Sequence, residues 1–491
     1  MKSLVYIFLI FIFSVMTIYS TSKPDFNEYF LNKTLRIDYY HTGDKNTEVI
    51  SLDHIYQYGI WAGSLNNLID NFNNGKYYAK VYDSNSGALI FSKGFDSYFG
   101  EYITSTPAEK GIKRTYSESV LIPSPKNRIV FELDRRNREN NLEKLFSCEI
   151  DPNDAGIIKE NFKDNTIKVF NEVTNGNPHD KVDIAVLAEG YTAKEVNKFR
   201  ADLKKFVEVF FNQEPYKSYK NHFNIYGVFK ASLERGVDEP THGVYKNTAL
   251  SCTFNSLGSE RYHLTEDNKA LRKIAAQVPY DALFIMVNHK RYGGGGIYNL
   301  YCTFTSDNQW NGYLLLHEFG HSFAGLADEY YTSDVAYNDF YPHGVEPTEP
   351  NITALLNPKE VKWKNLLTPG IEIPTPWEKA EYDSLDLNWQ KGRRITNNQI
   401  AEAKRKNQNK ALIKSLEDEY DKNDREHTAV LDKFLRDSKY WGKVGAFEGA
   451  GYASKGLYRP MLDCIMFSKG KKPYCKVCEE AIIRMIKYYS E

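Results

Sequence analysis

The sequence predicts an N-terminal all-β sandwich domain followed by a larger domain of the α+β or α/β class. Up to residue 153, short segments rich in β-branched and aromatic residues are separated by turn residues. After residue 154, strand-like segments alternate with amphipathic helical segments. A chain of 491 residues is also longer than one hydrophobic core normally serves. We therefore expect one domain over residues 23–153 and a second over residues 154–491.

The overall composition is that of an ordinary soluble globular protein. Hydrophobic residues make up 42% of the chain and charged residues 26%, and the formal net charge is −1. A chain this close to neutrality has no broad positive field that would attract nucleic acid or an anionic membrane. We therefore expect neither of them as a partner.

The first 22 residues have the pattern of a signal peptide. Lys2 supplies the positive start, residues 4–16 form an apolar run interrupted by Ser14, and small or polar residues follow at positions 20–22. The run is short for a membrane-spanning helix, and an uncleaved anchor is the alternative. No later stretch is apolar enough to cross a bilayer. We expect an exported protein (secreted, periplasmic or at the cell surface) without a membrane span in its mature chain.

The strands predicted for the N-terminal domain are short and closely spaced. They cover residues 35–40, 77–82, 88–91, 118–122 and 129–133. Residues 83–87, Asp-Ser-Asn-Ser-Gly, are a strong turn signal between two of them. The region contains no cluster of catalytic residue types. We expect it either to support the second domain or to recognise a substrate or surface.

The second domain begins with a pattern typical of a layered sheet. Predicted strands cover residues 182–187, 224–229 and 282–287, and a helix at about 193–211 follows the first of them. Four consecutive glycines at 293–296 lack the Gly-Lys-Ser/Thr ending of a phosphate-binding loop. We expect them to form a flexible loop beside an edge strand at 297–305, a kind of strand that can pair with extended peptide backbone.

The last third of the chain is helical in character. Residues 384–440 are highly charged and contain helix-forming runs with few apolar positions, which predicts a helical insertion with a solvated face. A final helix is predicted over residues 476–489.

The cysteines permit disulfides but do not specify them. The sequence contains six: Cys148, Cys252, Cys302, Cys464, Cys475 and Cys478. An even number in an exported chain allows full pairing. Cys475 and Cys478 form a CxxC pair, but a zinc ribbon would need a second such pair, which the sequence lacks. We therefore favour structural or disulfide-bonded cysteines over a second metal site.

The most informative segment is Leu-Leu-Leu-His-Glu-Phe-Gly-His at residues 314–321. On a helix, His317 and His321 share one face with Cβ atoms about 5–6 Å apart, a spacing that suits two nitrogens on Zn²⁺. Glu318 is placed to take a proton from a zinc-bound water as general base. The alternative is a buried helix whose two histidines have ordinary hydrogen-bond partners.

A catalytic zinc also needs a third protein ligand and one open position. Gly325 can end the helix in the left-handed conformation. In the metzincin pattern a glycine follows the second histidine by three and the third ligand follows that glycine by three. Gly325 follows His321 by four, and Asp328 follows Gly325 by three. We expect Asp328 to be the third ligand, with Glu329 as the alternative.

Several segments together resemble the bacterial IgA-peptidase family of zinc metallopeptidases. They are residues 187–192 (LAEGYT), 317–330 (HEFGHSFAGLADEY), 456–460 (GLYRP), 464–466 (CIM) and 475–478 (CKVC). The resemblance implies a metzincin-like catalytic domain behind a β-rich N-terminal domain. It also implies that His317 and His321 are zinc ligands, that Glu318 is the catalytic base and that Met466 lies in the Met-turn.

Three other positions follow from the same resemblance. The family is expected to have Asp where Glu189 stands, so Glu189 receives no chemical role. Tyr330 and Tyr458 lie in the similar segments and are candidates for a hydroxyl that stabilises the oxyanion.

The expected function is that of a secreted zinc metalloendopeptidase that cleaves host proteins or glycoproteins. The family name suggests immunoglobulin A as substrate, and mucins or other host glycoproteins are open alternatives. A different class of function also fits: a zinc-bearing adhesin or glycan-binding protein without peptidase activity, suggested by the β-sandwich and by 36 tyrosines. A metal-dependent hydrolase of other substrates is a third. These patterns do not encode an oligomeric state.

Overall fold

The computed structural model describes residues 23–160, 162–332 and 340–491 and has a mixed α+β architecture with several sheets. The signal peptide predicted for residues 1–22 lies outside the described residues. Within the described ranges, no helix combines the length and the apolar character needed to cross a membrane.

The first part of the chain consists mainly of β-strands. In chain order the elements are α1 (Phe26–Tyr29), β1 (Phe30–Gly43), β2 (Glu48–Tyr58), β3 (Tyr77–Asp83), β4 (Leu89–Phe95), α2 (Tyr98–Tyr102), α3 (Thr106–Glu109), β5 (Arg114–Pro125), β6 (Ile129–Arg136), β7 (Leu142–Ile150) and β8 (Ile158–Lys159). They form two sheets with the strand orders β5-β1-β2-β8 and β4-β3-β6-β7. All strand pairs are antiparallel except β2–β8.

One hydrophobic cluster joins these two sheets. Alternate residues on a strand point to the same face. Leu35 and Ile37 on β1 therefore point the same way, as do Ile129, Phe131 and Leu133 on β6, and all five are buried in a single cluster. The alternation seen in the sequence thus becomes the apolar layer between the sheets.

The second part of the chain alternates strands and helices before it becomes mainly helical. Its elements are β9 (Ile167–Val173), β10 (Val182–Glu189), α4 (Val196–Phe211), β11 (Phe223–Lys230), α5 (Asn268–Ala275), β12 (Ala282–Val287), β13 (Gly294–Ile297), β14 (Tyr301–Thr305), α6 (Asn311–Ala324), α7 (Lys379–Arg405), α8 (Lys410–Arg436), β15 (Phe447–Ala450), β16 (Ala453–Arg459) and α9 (Lys476–Ser490).

The central sheet has the order β13-β14-β12-β10-β11-β9 and is covered on both faces. Its inner strands are parallel and β9 and β13 are antiparallel edges. Ile184 and Val186 on β10 belong to the cluster that contains α4, α6 and α9. Ala185 and Leu187 belong to the cluster on the opposite face, which includes Phe99 of α2. Burial on both faces explains why β10 reads as a continuous apolar run.

The prediction of a flexible glycine loop at 293–296 was wrong. Residues 294–297 form β13 itself, paired with β14. A Cβ atom on Gly296 would lie 2.4 Å from the carbonyl oxygen of Glu318 and 2.9 Å from Cβ of His321. Glycine is therefore needed because this edge strand lies directly against α6.

The charged segment predicted as a helical insertion forms α7 and α8, and its helices begin at Lys379 rather than at residue 384. Only part of its surface is solvated. Leu431 and Leu435 are buried in the same cluster as α6. The Asp424 carboxylate accepts a 2.6 Å hydrogen bond from Nε1 of Trp310 at the start of α6. The helices thus pack against the element that carries the His-Glu-His motif.

Candidate metal centre

Helix α6 holds the motif in place through its apolar side. Leu314, Leu315 and Phe319 are at most 2% exposed and lie in the main core. The helix ends at Gly325, whose φ of 59° is left-handed. The predicted role of Gly325 as the helix terminator is confirmed. The chain then turns back beside the helix.

The turn brings a carboxylate to the two histidines. The Nε2 atoms of His317 and His321 are 3.2 Å apart. Oδ1 of Asp328 lies 3.0 Å from Nε2 of His317 and 3.2 Å from Nε2 of His321. Ligands at about 2.0–2.1 Å in a tetrahedral zinc site would be separated by about 3.3 Å. The three atoms therefore have the chemistry and the spacing of a zinc ligand set.

Backbone carbonyls determine which ring nitrogen of each histidine faces Asp328. Nδ1 of His317 lies 2.9 Å from the carbonyl oxygen of Ile465, and Nδ1 of His321 lies 2.5 Å from that of Leu326. A carbonyl only accepts, so each Nδ1 carries the proton and donates it. A metal ion binds the neutral form of a histidine ring, and in that form this tautomer directs the Nε2 lone pair of each ring towards Asp328.

Asp328 and the two histidines are electrostatically coupled. Burial opposes protonation of His321, but the Asp328 carboxylate outweighs it and raises the pKa of His321 to about 9. Burial would raise the pKa of Asp328, yet the two histidines hold it well below its usual range. Oδ1 of Asp328 is buried and faces the two histidine Nε2 atoms. Its other oxygen accepts a hydrogen bond from the Tyr452 hydroxyl.

Glu329 points elsewhere, although the sequence left it as an alternative to Asp328. Its side chain is fully buried, and Oε1 accepts a 3.0 Å hydrogen bond from Nδ2 of Asn351. The same oxygen lies 3.2 Å from Sγ of Cys478. The two adjacent side chains project in different directions. Asp328 therefore faces the histidines and Glu329 faces a cysteine cluster.

Glu318 is partly buried and lies in the cleft beside the histidines. A Cβ on Gly294 would lie only 2.8 Å from its Oε1, so the glycine of β13 makes room for this carboxylate. Burial raises the pKa of Glu318, and the neighbouring His317 and His321 charges oppose that shift. The carboxylate is next to the ligand set without belonging to it.

The cleft has a volume of about 370 Å³ and is lined by both parts of the chain. Its walls include Asp96 and Arg136 from the N-terminal part. Tyr330 also lines it, with its ring stacked parallel to that of His317, and its hydroxyl accepts a 2.9 Å hydrogen bond from Nη2 of Arg261. Tyr458, the other tyrosine considered from the sequence, is not one of the described lining residues.

Met466 lies directly beneath α6. A Cβ atom on Gly320 would come within 2.8 Å of Sδ of Met466. The preceding residue, Ile465, supplies the carbonyl that accepts from His317. The backbone N–H of Glu329 donates to the carbonyl of Met466 over 2.9 Å. This turn thus contacts the helix, one histidine and the segment after Asp328.

Two residues, one at the centre and one in the central sheet, have structural roles that the sequence did not predict. Tyr452, which holds Asp328, comes from a turn with no recognisable pattern, and only the tertiary structure places it. Glu189 received no role, but its buried carboxylate accepts hydrogen bonds from the backbone N–H groups of Leu250 and Cys252, at 2.9 and 3.0 Å. A charged residue at the end of an otherwise apolar strand was the available signal.

Comparison with known proteins gives two matches along the chain. The family model described as IgA Peptidase M64 matches residues 171–486, and the model described as Peptidase M64 N-terminus matches residues 25–147. No curated protein matches the chain. The first match includes every residue of the candidate metal centre.

Proposed function

This chain belongs to the IgA peptidase M64 family, a family of metallopeptidases, and we propose that it is a secreted zinc endopeptidase. One observation carries the proposal: His317, His321 and Asp328 converge at zinc-ligand spacing, with Glu318 beside them. These three residues would hold Zn²⁺, and Glu318 would act as the base.

The chemistry divides between the ion and the chain. When bound, Zn²⁺ supplies Lewis-acid chemistry, polarising the scissile carbonyl and lowering the pKa of water towards about 7. Glu318 takes one proton from the attacking water onto its carboxylate and later delivers it to the leaving amine nitrogen. Burial raises the pKa of Glu318 towards neutral pH, and this favours both proton transfers.

Substrate backbone would be oriented by β13, the edge strand against α6. On the side of β13 that faces away from β14, the carbonyl of Gly294 accepts a 3.2 Å hydrogen bond from the N–H of His263. Backbone N–H and C=O groups two residues apart on a strand point to the same side. Those of Gly296 therefore point away from β14, as those of Gly294 do. An extended peptide could continue this pairing beside Glu318. The Tyr330 hydroxyl is our candidate for stabilising the oxyanion.

We extend the proposal to the architecture. A β-sandwich domain over 23–153 is supported by two sheets around one cluster and by the N-terminal family match, and β8 (Ile158–Lys159) adds a strand beyond that boundary. A metzincin-like catalytic domain over 154–491 is supported by the Gly325 turn and by Met466 beneath the helix. Export is supported by the pattern of residues 1–22, and a protein or glycoprotein substrate, immunoglobulin A first, by the description of the family.

The proposal is tested with Glu318→Gln, which keeps the size of the side chain but cannot take the proton. We expect the variant to bind as much zinc as the unmodified protein and to cleave at least about a hundredfold more slowly. Zinc is measured by elemental mass spectrometry. Cleavage is measured on immunoglobulin A and a panel of secretory glycoproteins, with the cut bonds identified by mass spectrometry.

Glu208→Gln on the exposed side of α4 is the matched control and should leave cleavage unchanged. Full activity of Glu318→Gln would rule out the assigned base. Failure of the zinc-loaded, unmodified protein to cut any protein would favour a zinc-bearing binding protein instead.

A further inference from the structure

A second group of metal-ligand residues lies behind the candidate centre. Sγ atoms of Cys464, Cys475 and Cys478 and a carboxylate oxygen of Glu329 all lie within 4.8 Å of one another, and all four residues are buried. Three separate segments bring them together. Glu329 follows Asp328, Cys464 belongs to the turn of Met466, and Cys475 and Cys478 begin α9.

The distances fit a shared metal ion better than a disulfide. Sγ of Cys464 is 3.9 Å from Sγ of Cys478, and Oε1 of Glu329 is 3.2 Å from Sγ of Cys478 and 3.7 Å from Sγ of Cys475. Tetrahedral zinc would separate two sulfurs by about 3.8 Å and a sulfur from an oxygen by about 3.5 Å. A disulfide needs about 2.05 Å. All three thiols are unbonded in the structure.

The buried Glu329 carboxylate is only partly satisfied by hydrogen bonds. Its side chain is fully buried, and its Oε2 has no hydrogen-bond partner among the described residues. A buried carboxylate is costly unless it is paired or coordinates a metal. The buried guanidinium of Arg459, whose charge acts on Glu329, donates its hydrogen bonds to backbone carbonyls instead, including Gly449 at 2.7 Å and Leu462 at 3.2 Å.

Backbone N–H groups support the sulfurs as thiolates. Sγ of Cys464 accepts from the N–H of Cys475 at 3.1 Å and of Met466 at 3.4 Å. Sγ of Cys475 accepts from the N–H of Cys478 at 3.4 Å. Hydrogen bonds to a charged acceptor are stronger than those to a neutral one, and a metal-binding cysteine must be deprotonated. Cys464 and Cys475 therefore have N–H donors of the kind that metal-bound thiolates accept.

We propose that Cys464, Cys475, Cys478 and Glu329 bind a second, structural Zn²⁺. Four protein ligands close the coordination sphere and leave no position for a substrate, which is typical of structural zinc, and thiolates select zinc over harder cations. The Asn351 amide orients the carboxylate in the manner of an outer-shell partner. The site stands on its own geometry and does not depend on the proposed peptidase activity.

The position of the second site explains what it would do. Glu329 is covalently next to Asp328, and Cys464 is next to Ile465, whose carbonyl orients His317. A metal here would tie the segment carrying the third ligand, the turn under the helix and the start of α9 into one unit. It would fix the positions of Asp328 and His317 relative to each other without contacting substrate.

The first test is metal stoichiometry of the full mature chain, expressed with zinc and dialysed against metal-free buffer. We expect two zinc ions per chain in the unmodified protein and one in Cys478→Ala. Cys302→Ala is the matched control, because Cys302 is equally buried and lies outside the cluster, and it should keep both ions. The double variant His317→Ala/His321→Ala should keep one ion, which separates this site from the proposed catalytic one.

The second test needs no variant, so it stands even if Cys478→Ala does not fold. The cobalt-substituted, unmodified protein should show thiolate-to-cobalt charge-transfer absorption, which the His–His–Asp set cannot produce. Alkylation after denaturation without reductant should modify all three cysteines. A disulfide between any two of them, absence of the charge-transfer band, or equal zinc content in Cys478→Ala and Cys302→Ala would overturn the proposal.

Discussion

At the residue scale, the candidate centre depends on groups that hold its ligands as well as on the ligands. Each histidine donates from Nδ1 to a backbone carbonyl, and Asp328 accepts from the Tyr452 hydroxyl. Such outer partners fix the orientation of a ligand and raise its affinity for metal. Their removal should weaken metal binding before it affects the chemistry.

Tyr452→Phe tests this directly. The variant keeps the ring, whose centroid lies 5.5 Å from that of Tyr330, and loses the hydrogen bond to Asp328. We expect the zinc concentration needed for half-maximal activity to rise about 10- to 100-fold, with kcat nearly unchanged at saturating zinc. Activity is measured against buffered free zinc.

Tyr458→Phe is the control for that titration, because Tyr458 lies on the neighbouring strand away from the cleft. An identical zinc dependence in the two variants would show that the Tyr452 hydroxyl does not support the ligand.

The sequence identified the local part of the centre because helix geometry is local. A four-residue spacing places His317 and His321 on one face whatever surrounds the helix. The choice between Asp328 and Glu329 was different. Both are acidic, adjacent and buried, and only their tertiary neighbours distinguish them. The same limit applies to the cysteine cluster, because a search for paired CxxC motifs overlooks a carboxylate as fourth ligand.

At the element scale, the centre depends on the close contact between β13 and α6. Glycine is rare inside strands because it adds no side-chain packing, so the sequence predicts a loop at 293–296. The structure uses the missing side chains to bring the strand against Glu318 and His321. The sequence predicts strands with clear apolar alternation, such as β6, close to their observed bounds. It does not predict β2, because the more exposed residues of β2 alternate too weakly.

Gly296→Ala should disturb this contact. The new methyl group would lie 2.4 Å from a backbone carbonyl of α6, which cannot move as a side-chain tip can. We expect the free energy of unfolding to fall by about 1–3 kcal/mol and the cleavage rate to drop with it. Denaturant unfolding and the cleavage assay measure the two effects.

Gly392→Ala is the control, and it should change the free energy of unfolding in the opposite direction. Gly392 is exposed within α7, and a Cβ there would meet nothing within 4 Å. Alanine should stabilise the helix by about 1 kcal/mol. Equal stability of the two variants would contradict the role assigned to Gly296.

At the scale of the whole molecule, the N-terminal part is joined to the metal centre. Nδ2 of Asn74 donates a buried 3.1 Å hydrogen bond to the carbonyl of Gly325, the residue that ends α6. The N–H of Asp96 donates to the carbonyl of Tyr298 over 2.9 Å, just beyond β13. Both parts also line the same cleft. A substrate bound in this cleft would contact both parts, so the proposed cleavage is measured with the full chain.

The central claim is that His317, His321 and Asp328 bind the metal of a peptidase. The most direct test is X-ray diffraction from crystals of the zinc-loaded mature chain, recorded on both sides of the zinc absorption edge. We predict an anomalous peak bounded by Nε2 of His317, Nε2 of His321 and the carboxylate of Asp328. No peak at that point, or a peak there with Glu329 in place of Asp328, would contradict the claim.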